Sequence, residues 1–123
     1  MSQRFSEPLF VISVAARLVE MHPQTLRKYE REGLIAPSRT SGNLRLYSDE
    51  DIERLRQVKY LVEERHMNLA GVQLALELTQ ELQRLRDKLD ASDEATKIIV
   101  NEFNRLLRLL GHVDQEEIRQ RSK

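Results

Sequence analysis

The side chains best suited to specific recognition follow a His-Pro pair at residues 22 and 23. Proline is favoured in the first turn of a helix, because the N–H that it lacks would be unpaired there, so we expect a helix to begin at Pro23. The first turn of an exposed helix can enter the major groove of duplex DNA, where Gln pairs with adenine and Arg or Lys with guanine or phosphate. The residues in the right place for such contacts are His22, Gln24, Thr25, Arg27, Lys28 and Tyr29.

These basic residues would also suit an ordinary solvated helix face, and the segment that follows decides between the two interpretations. Apolar runs at 34–37 and 44–47 flank a polar turn with Gly and Asn at 42 and 43, which predicts a β-hairpin. A hairpin directly after two short helices is typical of the wing of a winged helix. Because this hairpin carries arginines of its own, a nucleic-acid interface is the better interpretation.

Alternation along the returning strand of the hairpin separates a polar face from an apolar one. We expect Leu44 and Leu46 to pack inward and Arg45 to point towards DNA. Tyr47 suits a core position and a DNA contact equally well. The candidate DNA-binding residues of the hairpin are Arg39, Thr40, Arg45 and Tyr47.

Two short helices joined by a tight turn form a helix-turn-helix. The helix at Pro23 should end near Glu32, since Gly33 is a common helix stop. Before it, apolar residues recur at three- and four-residue spacing over residues 12–19, which predicts a short amphipathic helix. Ser13, near the start of this first helix, is a candidate for an N-terminal hydrogen bond and for a contact with DNA.

Two linker helices are expected over residues 48–78. Ser48 can cap the first of them, and the acidic residues after it suit the positive end of the helix dipole. Asn68 should start the second, a short helix. Its inward-facing residues would be Leu69, Val72 and Leu76.

The last segment has the most regular pattern of the chain. Over residues 78–113 the seam positions alternate at spacings of four and three, with only Ser92 and Thr96 polar, and this heptad pattern predicts one long coiled-coil helix. The simplest partner for such a seam is the same helix of a second chain. The alternative is a helical hairpin folded at residues 90–93, where capping residues cluster. The residues expected to dimerise are Leu82, Leu85, Leu89, Ile99, Phe103, Leu106 and Leu110.

The net charge of the chain is zero, but the charges are unevenly distributed. Residues 15–47 hold six basic and three acidic side chains, whereas residues 48–64 hold three and six, so positive charge is concentrated in the first half. Cysteine is absent and the three histidines have no metal-ligand spacing, so we expect no disulfide, metal or cofactor. No nucleophile motif or phosphate loop indicates an enzyme. No apolar run is long enough to span a bilayer, and we expect a cytoplasmic protein.

Residues 11–72 resemble the MerR family of transcriptional regulators. The similarity rests on Thr25-Leu26-Arg27-Lys28-Tyr29-Glu30, on Gly33-Leu34, and on Pro37, Arg39-Thr40, Gly42, Arg45, Tyr47-Ser48 and Asp51-Ile52. Within this family, the runs at 21–27 and 68–72 look most like HspR, a group of heat-shock repressors. The cysteines of the metal-sensing members are absent, so a metal-responsive activator is not expected.

The resemblance implies a mainly α-helical protein in two parts. Residues 1–78 would form a winged helix-turn-helix DNA-binding domain, with the wing at 34–47 and the linker helices at 48–78. Residues 79–123 would form an antiparallel coiled-coil dimerisation helix and a tail. HspR-type wings often carry a second arginine where this chain has Leu46, so one phosphate contact would be missing.

The resemblance also implies a function. A homodimer would bind inverted repeats of double-stranded DNA in the promoters of chaperone genes and repress them, with the DnaK chaperone as a candidate co-repressor. A nitrogen regulator of the GlnR type, from the same family, is the nearest alternative. From a different class, an adapter that binds only proteins through its coiled coil would also explain the heptads.

Overall fold

The computed structural model describes residues 3–113, which fold into helices and a small sheet. The chain divides into two compact units, residues 1–59 and 60–123. The helices of the described part are α1 (Ile12–Val19), α2 (Pro23–Arg31), α3 (Asp49–Glu63), α4 (Leu69–Asp87) and α5 (Glu94–Leu109), preceded by a turn of 3-10 helix at Gln3–Ser6. The strands are β1 (Phe10–Val11), β2 (Ser38–Arg39) and β3 (Arg45–Tyr47). The mainly helical fold is therefore confirmed.

The predicted helix-turn-helix is present in the first unit as α1 and α2. The chain reverses between them at Glu20, which adopts a left-handed conformation with φ 56°. Gly33 follows α2 with φ 79°, a conformation that glycine adopts without steric cost, as expected for a helix stop. The predicted capping role of Ser13 is wrong, because Val11 is the N-cap of α1 and provides no side-chain hydrogen bond.

The sheet of the first unit has three antiparallel strands in the order β1-β3-β2. Phe10 lies opposite Tyr47, so the segment before α1 adds a strand that the sequence did not predict. The predicted hairpin is present, but its first strand is β2 rather than residues 34–37. Leu34 and Ile35 are instead buried in the core as an irregular segment.

Helix α3 begins in the first unit with a reciprocal cap. Ser48 Oγ accepts a hydrogen bond from Asp51 N at 3.1 Å, and Asp51 Oδ2 accepts one from Ser48 N at 2.9 Å. Farther along, the basic residues of α3 donate to backbone carbonyls of the helix-turn-helix: Arg54 to Leu34 at 2.7 Å, Arg56 to Leu18 at 3.3 Å, and Lys59 to Val19 and Glu20 at 3.2 Å. These carbonyls lie near helix C-termini, where positive charge is favoured.

The second unit contains a helical hairpin, so the prediction of one unbroken helix over 78–113 is wrong. Helix α4 ends at Asp87 and α5 begins at Glu94. Between them Asp90 Oδ1 accepts from Ser92 N at 3.1 Å, and Asp93 Oδ1 accepts from Thr96 N at 2.8 Å. The bond of Asp90 competes with the backbone bonds of a continuous helix, and Asp93 caps the start of α5, although the heptad pattern continues through this segment. The alternative hairpin at residues 90–93 is thus the correct interpretation.

Helices α4 and α5 run antiparallel and pack against each other. Arg86 Nη1 donates to Asn104 Oδ1 at 2.9 Å, and Gln83 Nε2 lies 3.0 Å from Nε2 of the buried His112. At the end of α5, Gly111 has φ 84° and lies directly against the ring of Tyr60, which leaves no room for a Cβ atom. The end of α5 therefore depends on this glycine.

Helix α4 differs from the short helix predicted at Asn68. Asn68 does cap it, because its Oδ1 accepts from Gly71 N at 2.8 Å, but the helix has 19 residues. Val72 and Leu76 are buried as expected, whereas Leu69 is exposed, and its predicted inward position is wrong. The predicted division of the chain at residues 78 and 79 stays a prediction. None of the helices within residues 3–113 has the length and apolarity needed to cross a membrane.

Candidate nucleic-acid interface

The first turn of α2 presents the polar side chains that the sequence predicted. His22 is the N-cap, and its Nδ1 accepts a hydrogen bond from Gln24 N at 3.0 Å. This bond fixes the imidazole ring at the start of the helix. Gln24 and Lys28 are exposed, while Thr25 and Arg27 are half-buried. The positive end of the helix dipole suits an anion such as a DNA phosphate.

The opposite face of α2 holds the helix in the core. Leu26 is fully buried and Tyr29 nearly so. This confirms that the ring of Tyr29 packs inward; the predicted contact of its hydroxyl with a phosphate stays a prediction. The polar and basic side chains of α2 therefore share a surface from which Leu26 and Tyr29 are excluded.

The hairpin next to α2 is closed by its own polar groups. Thr40 N donates to Leu44 O at 2.9 Å, and Thr40 Oγ1 accepts from Leu44 N at 3.1 Å. Asn43 takes a left-handed φ of 65°, as the turn requires. Leu46 is half-buried, but Leu44 is half-exposed, so the prediction that both leucines pack inward is wrong for Leu44.

Glu30 of α2 joins the two arginines of the hairpin. Its Oε2 lies 2.9 Å from Arg39 Nη2, and its Oε1 lies 2.6 Å from Arg45 Nε. Arg39 and Arg45 are directly opposite each other on β2 and β3, and Arg39 Nη1 also donates to Asn43 O at 3.2 Å. Partial burial alone would raise the pKa of Glu30, but the hydrogen bonds and charges of Arg45 and Arg39 outweigh it and lower this pKa.

Tyr47 lies in the core rather than at the surface. Its side chain is fully buried, and its hydroxyl has no hydrogen-bond partner among residues 3–113. Burial raises the pKa of this phenol. Of the two roles that the sequence left open, the core role is the one observed. A contact with DNA would need the hydroxyl to reach the surface, and it stays a prediction.

Most of the predicted DNA-binding residues lie on α2 and the hairpin, which the bonds of Glu30 connect directly. Ser13 is exposed on α1, outside both of these elements. Sequence reasoning missed the role of Glu30, which it counted only among the acidic residues and within the family motif. The available signal was a carboxylate within a strongly basic stretch, close to a hairpin with two arginines.

An exposed helix start with Gln24 and Lys28, next to a hairpin with two arginines, can hydrogen-bond base edges and grip phosphates. Within the described ranges, no group of His, Cys, Asp and Glu side chains could hold a metal ion. The fold and these side chains are those of a helix-turn-helix DNA-binding protein.

The comparison with protein families identifies the group. A model described as "MerR HTH family regulatory protein" matches residues 10–79, and the chain belongs to this family of DNA-binding transcriptional regulators. The match covers the helix-turn-helix, the hairpin, α3 and the first half of α4. It confirms the family resemblance seen in the sequence.

Similar curated proteins are regulators as well. A Streptomyces coelicolor protein named as the heat shock protein HspR is 51% identical over 79 residues, which are 64% of this chain and 52% of that protein. The regulator GlnR of Bacillus anthracis is 33% identical over 105 residues, 85% of this chain and 78% of that protein. The regulator MlrA of Escherichia coli is 44% identical over 52 residues, 42% of this chain and 21% of that protein.

These relatives define how far the identification extends. The chain spans about half the length of the HspR relative. It is an HspR-like member of the MerR family, and its relatives are transcriptional regulators rather than enzymes, as the sequence predicted. The alternative of an adapter that binds only proteins is set aside by the same matches.

Proposed function

We propose that this protein represses heat-shock and chaperone genes by binding inverted repeats in their promoters as a homodimer. The observation that carries the proposal is the 51% identity to HspR over 79 residues. The exposed start of α2 supplies side chains for reading bases, and the hairpin supplies arginines for phosphates, as a wing would. Bound at a promoter in the cytoplasm, such a dimer would exclude the transcription machinery.

The dimer is supported by an apolar face that the second unit leaves open. Among the described residues, Ile98, Ile99, Leu106 and Leu109 on one side of α5 are all exposed, with Ile98 at 64% and Leu109 at 53%. Leu107, on another side of α5, is buried, and α5 packs against α4. Exposed apolar surface of this extent on one helix is typical of a helix that pairs.

A second copy of α5 is the proposed occupant of this face. Two α5 helices packed antiparallel would cover both faces and give the dimer a two-fold axis. Ile99 and Leu106 would then lie in the interface as the heptad pattern predicted. Leu82, Leu85, Leu89, Phe103 and Leu110 belong to the same predicted set; Leu85 is exposed and the other four are half-buried. A dimer with this symmetry reads two half-sites in opposite orientation, hence the inverted repeat.

Mapping the promoter regions bound by the protein before and after a heat step tests the function directly. Occupancy near chaperone genes that falls on heating supports the proposal. The second candidate is a GlnR-type nitrogen regulator, which the 33% identity over 85% of the chain favours. Occupancy near glutamine-synthetase genes, unaffected by heat, would replace the first candidate with the second.

The signal that relieves repression would be either loss of a DnaK co-repressor or melting of the dimer itself. Measuring operator affinity of the pure protein from growth to heat-shock temperature, with and without DnaK, separates the two. Affinity that persists on heating without DnaK eliminates intrinsic melting. Affinity that is unchanged by DnaK at every temperature eliminates the chaperone as partner.

A further inference from the structure

Glu30 places a negative charge inside the surface proposed to meet DNA. Its side chain is 21% exposed and bonds both Arg39 and Arg45. We propose that Glu30 is a positioning residue for sequence discrimination: it fixes the direction of both hairpin arginines, which favours the specific site, and it lowers the affinity of the hairpin for non-specific DNA. This inference rests on the proposed contact between the hairpin and DNA.

The first step concerns the two arginines alone. Arg39 and Arg45 are directly opposite each other in the β2–β3 pair, where like charges destabilise a sheet. One carboxylate oxygen of Glu30 bonds each guanidinium group, so the three side chains together carry a single positive charge rather than two. Because Glu30 belongs to α2, the same bonds connect the hairpin to the helix proposed to read bases.

The second step concerns the donors that remain. Arg45 uses Nε for Glu30, and its terminal Nη1 and Nη2 make no hydrogen bond to the described residues. An Arg fork held from one side presents its remaining donors in one direction, which suits a phosphate at one position and no other. Groups that are already oriented lose less entropy on binding. The bonds to Glu30 therefore favour DNA whose backbone places a phosphate where the remaining Arg45 donors point.

The third step concerns DNA of arbitrary sequence. Non-specific binding depends on the number of phosphates that basic residues neutralise and has little need for orientation. A carboxylate between two arginines reduces this term and repels the phosphates. Glu30 therefore acts on the two kinds of binding in opposite directions, which is what discrimination requires.

Glu30→Gln tests the proposal, since it removes the charge and preserves the shape. The probes are a random-sequence duplex and a duplex selected by the wild-type protein from a random pool. We expect the affinity for the random duplex to rise about threefold to tenfold, with a salt slope steeper by about one. The affinity for the selected duplex should stay the same or fall, so the ratio of the two affinities drops about threefold to tenfold or more. Glu50→Gln is the control, because it removes an exposed charge of α3.

Glu30→Asp provides a second measurement that does not change the charge. Its shorter side chain cannot reach both guanidinium groups, so the affinity for the selected duplex should fall while that for the random duplex stays within about twofold. A purely structural role would lower the melting temperature of both variants and leave the affinity ratio of the folded protein unchanged, which overturns the proposal. If the wild-type protein selects no duplex and does not bind the random one, the proposed function and this inference are both overturned. If the wild-type protein binds both duplexes and the two Glu30 variants keep its affinity ratio, this inference alone is overturned.

Discussion

The exposed surfaces of the two units differ in chemistry. In residues 3–59 several polar groups at the surface are already oriented by hydrogen bonds: His22 caps α2, and Glu30 holds two arginines. In residues 60–113 the polar groups close the α4–α5 hairpin, and an apolar face of α5 stays exposed. A surface of oriented charges suits a charged polymer, whereas an apolar helix face suits another helix. The difference supports the proposal that DNA binding and dimerisation depend on separate parts of this chain.

The largest effect should come from placing charges on the apolar face of α5. Ile99→Asp with Leu106→Asp should raise the dimer dissociation constant at least about a hundredfold, because two apolar side chains per chain are lost from the interface. Sedimentation velocity at micromolar concentration measures it. The matched control is Leu69→Asp with Leu74→Asp, two exposed leucines of α4. A double variant of α5 that remains dimeric would contradict the proposed interface.

A substitution at Gly111 should disturb the second unit from within. Gly111→Ala adds a methyl group against the ring of Tyr60 and puts a side chain on a left-handed residue. We expect the free energy of unfolding to fall by about 2 to 4 kcal/mol, measured by urea denaturation. Gly42→Ala is the control, since its Cβ would meet nothing closer than Thr40 Oγ1 at 3.8 Å. If the free energy of unfolding falls equally in the two variants, the contact between Gly111 and Tyr60 is not the cause of the loss.

Removing single arginines should weaken DNA binding without altering dimerisation. Arg27→Ala and Arg45→Ala should each lower the affinity for every duplex by about threefold to tenfold and reduce the salt slope by about one, as the loss of a phosphate contact predicts. Titration of a fluorescent duplex at several salt concentrations provides both quantities. Arg84→Ala removes an equal charge from an exposed pair on α4 and serves as control. If Arg27→Ala and Arg45→Ala keep the salt slope of the wild type, the proposed contact of α2 and the hairpin with DNA is contradicted.

The smallest effect should be a dependence of stability on pH. The pKa of Glu30 is lower in the folded chain than the ordinary value of 4.5, so its bonds stabilise the fold fully above that pH and lose this contribution as the pH falls through the folded value. Because solvent screens the pair, we expect about 0.5 kcal/mol or less. Between pH 6 and pH 3 the melting temperature should therefore fall slightly less in Glu30→Gln than in the wild type. A steeper fall in that variant would contradict the stabilising role of the ion pairs.

Local signals allowed much of the first unit to be predicted. Pro23, Gly33 and Ser48 act through their own backbone geometry or a bond to a near neighbour, and each has the role that the sequence indicated. The strand at β1 could not be predicted, because two residues carry no periodicity and pair with a strand far along the chain. The contact of Glu30 with two arginines is likewise a tertiary event.

The second unit shows a limit of pattern reasoning. The heptads continue through residues 88–93, yet α4 ends at Asp87, Asp90 bonds Ser92 in the break, and Asp93 caps the start of α5. Periodicity records which side chains face an apolar surface, and a helix that folds back onto its neighbour needs the same pattern as one that pairs with a second chain. Leu107 illustrates this, since it lies outside the predicted seam and is the fully buried leucine of α5.

The tyrosines give each unit its own optical probe. The chain has no tryptophan and three tyrosines, so ultraviolet fluorescence reports on the phenol rings alone. Tyr29 and Tyr47 are buried in the first unit, while Tyr60 contacts Gly111 in the second. Replacing Tyr60 by Phe leaves only rings of the first unit to emit. Comparing this variant with the wild type during denaturation would reveal whether the half proposed to bind DNA and the half proposed to pair unfold together or in sequence.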